Sequence, residues 1–180
     1  GEVQRDYDMV FITNPTSLHL ETAVKFRPHT KALFIEKPVF DGLDVDEDII
    51  KTLDEIPSYV ACPLHYNHVL QYVKQNIDLN RVISVRAMSS SYLPDWRPGQ
   101  DYRQTYSAHA DLGGGVDIDL IHEWDYLTWI FGMPTHCFGV AGKYSTLEID
   151  SNDTALYVAK NDQMTFELHL DYFGRKTQRT

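Results

Sequence analysis

The chain has 180 residues, of which 43% are hydrophobic and 23% charged, and its formal net charge is −10. That length holds one ordinary domain or parts of two, and the composition is that of a globular protein. The acidic balance excludes a non-specific nucleic-acid binder, which needs a basic face, and no apolar run reaches membrane-spanning length. Two cysteines, Cys62 and Cys137, lie far apart with no zinc-type spacing, and read as buried thiols in a reducing compartment. No signal peptide precedes the first strand, so the expected location is the cytoplasm, with no membrane and no nucleic-acid partner.

A short charged leader runs into "DMVFIT", residues 8–13, which reads as a buried strand. Asn14-Pro15 signals a turn, and Thr16 or Ser17 can cap a helix whose apolar face is Leu18, Ala23 and Phe26. "KALFIEKP" is a second strand stopped by Pro38. "DVDEDIIKTLDEI" is an amphipathic helix whose acidic first turn suits the helix dipole. "SYVACPLHY" reads as a third strand and "NHVLQYVKQNI" as a third helix. Strand and helix thus alternate over residues 8–77 at the pace of βαβ units, which implies a parallel sheet covered by helices.

The texture then changes. "RVISVRAMSSSY" is a longer strand with alternating polarity, and "LPDWRPGQDYRQTYSAHAD" is a polar, aromatic and basic loop. A glycine-opened helix covers roughly residues 115–131. "THCFGVAGKYS", "DTALYVAK" and "QMTFELHLDYF" read as successive antiparallel strands. The expected fold class is therefore α/β plus α+β. Residues 1–77 form part of a parallel-sheet domain, and residues 78–180 part of an α+β domain with an open, mainly antiparallel sheet. A parallel sheet without its opening, joined to a sheet without its end, reads as an internal piece of a longer protein.

Several residues could carry chemistry. On a helix of about 100° per residue, Asp119 and Asp125 lie about 60° to either side of His122. A carboxylate one turn from a histidine can fix its tautomer and tune it as an acid/base; a satisfied core histidine with two capping or solvated carboxylates is the other reading. "EKP", residues 36–38, ends a parallel strand, where open α/β sheets bind ligands, and Lys37 there is either a site lysine or a surface one. "TNP", residues 13–15, holds the same position on the preceding strand, or is simply a turn. The loop offers Trp96, Arg97, Tyr102, Arg103 and Tyr106, either a sugar- or phosphate-binding set or a solvated loop. His65, His68, Asp119 and His122 would be the ligands of a metal-dependent hydrolase, but no HExxH or cysteine set supports them.

Taken in order, strand-"ITNPTSLHLETA", strand-"FIEKP" and "GGGVDIDLIHEWD" resemble the Gfo/Idh/MocA oxidoreductases. "SYLPDWRPGQDYRQTYSAHADLGGGV" resembles the branch associated with bacterial surface-sugar biosynthesis. The resemblance implies a Rossmann domain for NAD or NADP, then a substrate domain for a sugar or nucleotide sugar, in a homo-oligomer. It implies Lys37 beside nicotinamide and substrate, His122 as the proton carrier, and Asp119 as its acidic partner one turn earlier. Asp125 would lie near substrate, together with the loop residues Trp96, Arg97, Tyr102, Arg103 and Tyr106. Thr13, Asn14, Pro15, His19, Glu36, Lys37 and Pro38 would line the cofactor side; no metal is implied. The sequence departs from the family pattern in having no GxGxxG, in an Asp119-to-His122 spacing of three where many members have four, and in placing His65 where an arginine is expected. A non-catalytic sugar-binding or assembly module is the alternative from another class.

Overall fold

The computed structural model describes residues 6–42 and 45–180. Residues 1–5 of the charged leader, and Asp44 at the start of the expected second helix, lie outside them. The chain divides into two compact units: residues 1–62 with 111–113, and residues 63–110 with 114–180.

The first unit is a three-stranded parallel sheet in the order β1 (Val10–Ile12), β2 (Leu33–Glu36), β3 (Ser58–Ala61). Val10 pairs with Leu33 and Ile35 with Val60, so Ile12, Leu33 and Ile35 share a buried layer with Ala23 and Leu53. Ala23 belongs to helix α1 (His19–Phe26), and Leu53 to helix α2 (Glu47–Asp54), whose first turn is capped by the Asp46 carboxylate accepting from Asp48 N. The start of α1 differs from the sequence expectation. Thr16–Leu18 form a 3-10 turn with no side-chain cap, Thr16 is buried, and Leu18 points to solvent; Ala23 is buried as expected, and His19 is buried with it. The hydrogen bond from Leu18 N to Pro15 O closes this turn.

Residues 58–66 do not form one strand. β3 ends at Ala61, and Pro63–Tyr66 make a 3-10 turn, because proline lacks the N–H a strand would use. Helix α3 (His68–Asn76) follows, capped by the Asn67 side chain accepting from Val69 N and Leu70 N. Its Leu70 and Val73 pack on the core of the second unit, and the division between the compact units falls at residues 62 and 63, ahead of α3.

The second unit is built on a five-stranded sheet ordered β5 (His136–Gly142), β6 (Thr154–Lys160), β7 (Thr165–Asp171), β4 (Ser84–Tyr92), β8 (Phe173–Arg179). Three pairings are antiparallel. The β4–β7 pair is parallel, which the reading of successive antiparallel strands did not anticipate. The polar segment after Tyr172 also forms an edge strand, β8, although nothing in its composition suggests one; the β4 ladder supplies the pairing. Ala155, Phe166, Leu168 and Leu170 face inward with Val116 and Leu127, and fully burying a Phe or Leu side chain contributes about 1.5–3 kcal/mol. Among the described residues no helix is long and apolar enough to cross a membrane.

The expected single helix over residues 115–131 is two: α4 (Val116–Asp119) and α5 (His122–Phe131). Leu120 leaves the helical region with φ −98° and ψ 26°, and Ile121 N reaches back three residues, to Ile118 O. The break lies between Asp119 and His122, so the single-helix angles no longer relate them.

Candidate active site

In the first unit, the carboxyl ends of β1 and β2 carry the residues expected on the cofactor side. Thr13 directly follows β1 and is exposed, as is Pro15; Glu36 ends β2, with Lys37 and Pro38 next, all three half-buried. The Lys37–Pro38 peptide is cis. His19 is the organiser. It is 2% exposed, with Nδ1 2.7 Å from Pro38 O and Nε2 2.8 Å from Asn14 O, and so ties the segment after β1 to the segment after β2. Asn14 Nδ2 donates to Thr22 Oγ1 at 2.9 Å, while its Oδ1 is buried without a hydrogen-bond partner. Turning the amide over would only move the vacancy to the nitrogen, so one polar end of Asn14 stays available either way.

Gly113 belongs to the same unit. Its φ is +76°, and a Cβ there would lie 2.9 Å from Thr16 Cβ and 3.1 Å from Ser17 N. Only glycine allows the backbone to approach this closely.

In the second unit, Gly114 opens the segment that leads to α4. A Cβ on it would lie 2.2 Å from Tyr106 O and 2.7 Å from His109 O, so the aromatic loop closes directly on the glycine backbone. The loop residues separate into two groups. Tyr106 bonds Asp119, while Trp96 and Arg97 pack on the two tyrosines that hold it. Tyr172 Oη donates to Asp119 Oδ2 at 2.6 Å, and the Tyr106 hydroxyl bonds the same carboxylate. Trp96 meets the Tyr172 ring edge-on at 5.2 Å and donates from Nε1 to Ser91 Oγ; Arg97 stands 5.4 Å over the Tyr106 ring. Burial, together with the Asp119 charge, pushes the Tyr106 phenol up to about 12 and the Tyr172 phenol well above its ordinary value. Both phenols therefore keep their protons and act as donors, and Asp119, 5% exposed, is held as an oriented acceptor.

Tyr102 and Arg103 turn elsewhere. Tyr102 Oη accepts from Glu148 N, and Arg103 is held by Asp101 at 2.8 Å and Glu148 at 3.1 Å, so its fork already has two carboxylates. The cavity lined by Trp96, Arg97 and Tyr102 holds only about 10 Å3, room for no more than a water.

His122 is the first residue of α5 and is half-buried. Asp125, one turn on, pairs with His65: Nε2 lies 3.0 Å from Oδ2, off the line of a good hydrogen bond, and neither atom has another hydrogen-bond partner. The His65 ring stacks on Trp129 at 4.3 Å with 13° between planes, and Lys74 lies over the same indole at 4.6 Å and donates to Trp129 O. His68 is exposed at the start of α3. Among the described residues no three His, Cys, Asp or Glu side chains gather as a metal site, so His65, His68, Asp119 and His122 are not a ligand set. Sequence reasoning missed Tyr172, which carried no signal within an alternating strand. It named His65 as a metal ligand and as a histidine where an arginine is expected, and not as the neighbour of Asp125.

No protein-family model matches the chain, and no curated protein matches it in sequence. Solved structures do match. A myo-inositol 2-dehydrogenase from Lactobacillus plantarum is 19% identical with a TM-score of 0.78, over 96% of this chain and 53% of that one. The WlbA dehydrogenase from Bordetella pertussis, in complex with NADH and UDP-GlcNAcA, is 19% identical with a TM-score of 0.77, over 94% and 54%. An oxidoreductase from Agrobacterium radiobacter, in complex with NAD+, L-tartaric acid and magnesium, is 19% identical with a TM-score of 0.75, over 94% and 49%. The fold is thus shared with these structures, a Rossmann-like parallel sheet and a mixed, mainly antiparallel one. The chain spans about half the length of these structures.

Proposed function

We propose that the chain is part of an NAD- or NADP-dependent oxidoreductase acting on a sugar or nucleotide sugar. The observation that carries this reading is the cluster at the ends of β1 and β2. There His19 locks two strand ends together and Asn14 leaves a buried polar atom unpaired at the position where open parallel sheets bind ligands. That vacancy fits the amide groups of a dinucleotide. The neighbours in complex with NAD+ or NADH support the cofactor class, and the neighbour holding UDP-GlcNAcA supports the substrate class.

When bound, the nicotinamide supplies the hydride acceptor or donor. The rest falls to the chain. His122 takes the proton of the substrate hydroxyl as the carbonyl forms, and returns it in the reverse direction. Asp119, fixed by two tyrosine hydroxyls at the end of α4, is an oriented acceptor three residues before His122. Within the second unit, Asp125 with the aromatic loop receives the remainder of the sugar.

The reading includes a cytoplasmic location, supported by Cys62 and Cys137 forming no disulfide with one another, and a homo-oligomer. Self-association is supported by the outer face of the β5–β6 pair. Phe138 opposes Val158 and Val140 opposes Leu156, all four exposed, beside an open cavity of about 470 Å3.

The test is a comparison of His122→Ala and unaltered full-length protein, by cofactor titration and steady-state turnover with candidate sugars. His122→Ala is expected to lower turnover by roughly a hundredfold to ten-thousandfold, the usual worth of a general acid/base, and to leave dinucleotide affinity intact. Unchanged turnover would leave α5 a structural helix. Absence of any dinucleotide binding by the full-length protein would favour a sugar-binding module.

A further inference from the structure

A second cavity of the C-terminal unit lies apart from Asp119, His122 and Asp125, none of which lines it. It is open, about 500 Å3, within the range of about 300–1,000 Å3 typical of small-molecule sites. Its wall contains Tyr92, Tyr102, Tyr144, Thr146, Phe173 and Arg175, and no acidic residue lines it. We propose that this cavity binds a phosphorylated sugar.

Charge selects the phosphate. Arg175 is the one cation in the wall, and among the described residues it has no carboxylate partner. Its guanidinium carbon lies 3.8 Å from the centre of the Tyr92 ring. Stacking covers a face of the guanidinium and leaves its N–H edge for an anion, which a phosphate meets through two parallel hydrogen bonds. In a chain of net charge −10, an exposed arginine in a cavity wall that holds no carboxylate is open to an anion.

The aromatic rings select a flat or puckered ring with C–H faces. Tyr144 lies against Gly142, where an added Cβ would stand 2.9 Å from the tyrosine ring, while Tyr144 itself is 68% exposed. The ring therefore sits close to the Gly142 backbone and is mostly open to solvent. The hydroxyls favour a polyol. Tyr102 Oη already accepts from Glu148 N and keeps its proton to donate. Tyr92, Tyr144 and Thr146 add hydroxyls that both donate and accept, matching sugar hydroxyls better than the fixed pattern of a base.

The wall is ordered before any ligand arrives. The buried Asp153 carboxylate accepts from Tyr144 N at 2.8 Å, Ser145 N at 2.8 Å and Ser145 Oγ at 2.6 Å, with Lys143 3.3 Å away. This fixes the turn that carries Tyr144 and Thr146, so little ordering entropy remains to be lost on binding.

The test is calorimetric titration of the chain with glucose 1-phosphate, glucose, inorganic phosphate and uridine 5′-monophosphate. Saturable binding of glucose 1-phosphate is expected at millimolar or lower concentration, with glucose and phosphate each at least about tenfold weaker. Arg175→Ala is expected to weaken glucose 1-phosphate about tenfold or more, the worth of a charged hydrogen-bonded pair, and Tyr144→Ala to weaken it severalfold. Both side chains are exposed, so near-UV circular dichroism of the variants should be unchanged. His122→Ala should bind glucose 1-phosphate normally, which separates this site from the proposed reaction. No saturable binding, binding indifferent to Arg175→Ala, or tighter binding of the nucleotide than of the sugar phosphate would overturn the proposal.

Discussion

His65 Nε2 lies 3.0 Å from Asp125 Oδ2, and the imidazole ring is stacked on Trp129 of the same helix. The 3-10 turn after β3 is thereby fastened to α5 through the carboxylate that the resemblance places near substrate. An arginine here would reach further and present a fork; histidine instead keeps Asp125 close to the helix surface.

This pair should be coupled energetically. His65→Ala removes the 3.0 Å contact with Asp125 and the stacking on Trp129, and is expected to cost about 0.5–1.5 kcal/mol beyond the buried area lost. Adding Asp125→Asn should restore part of that loss, so the double variant falls short of the sum of the two singles. Urea denaturation of the four proteins measures it; strict additivity would show that the two side chains are independent.

Tyr172→Phe should destabilise by about 1.5–3 kcal/mol, the worth of a hydrogen bond to a charged group. The ring volume is kept, so the loss reports the bond to Asp119 and not a cavity. A melting temperature equal to that of the unaltered protein would mean that Tyr106 alone holds the carboxylate.

Gly114→Ala should be severely destabilising. The added methyl would stand 2.2 Å from Tyr106 O, a backbone atom that cannot swing aside. Overpacking of this kind costs about 1–3 kcal/mol or more, and here it should also displace the loop over Asp119. Gly42→Ala, with nothing within 4 Å of its Cβ, is the control and should be neutral. Equal stability of the two variants by denaturant titration would contradict the close approach.

Two buried carboxylates give opposite pH dependences. Burial raises the Glu123 carboxyl above its ordinary 4.5, with Arg179 opposing the shift. Above that ordinary value the folded state holds the proton longer than the unfolded state. Glu123 therefore contributes a loss of stability as pH rises from about 4.5 through its folded value. Asp153 behaves conversely. Burial raises its carboxyl, but hydrogen bonds from Ser145 and Tyr144 outweigh burial and hold it below 3.8. Its stabilisation is present above pH 3.8 and disappears as pH falls through the lower folded value. Glu123→Gln should flatten the stability profile above pH 4.5, and Asp153→Asn should flatten it below 3.8. Profiles unchanged by either substitution would assign the pH dependence to other groups.

Much of the site was legible one segment at a time. The ends of β1 and β2 were marked by Asn14-Pro15 and by Glu36-Lys37-Pro38, because turn residues and a halted apolar run are local signals. Gly113 and Gly114 were marked by their own lack of a side chain. The partners of the acidic residues were not legible. Asp119 reads along the chain as a neighbour of His122, but Tyr172, 53 residues away, donates to it, and Asp125 meets His65 from the turn after β3.

By itself the sequence determined the alternation of strand and helix over residues 8–77, the change of texture after it, and the residue types at each strand end. These follow from periodicity and turn chemistry, which act over a few residues. Only the tertiary structure decided the parallel pairing of β4 with β7, the strand character of the polar segment Phe173–Arg179, the break at Leu120, and the assignment of each buried carboxylate to its donor. Those outcomes depend on which distant backbone or hydroxyl group arrives beside a residue. A buried polar atom takes the partner that packing brings to it, because leaving it unpaired costs more than any local preference.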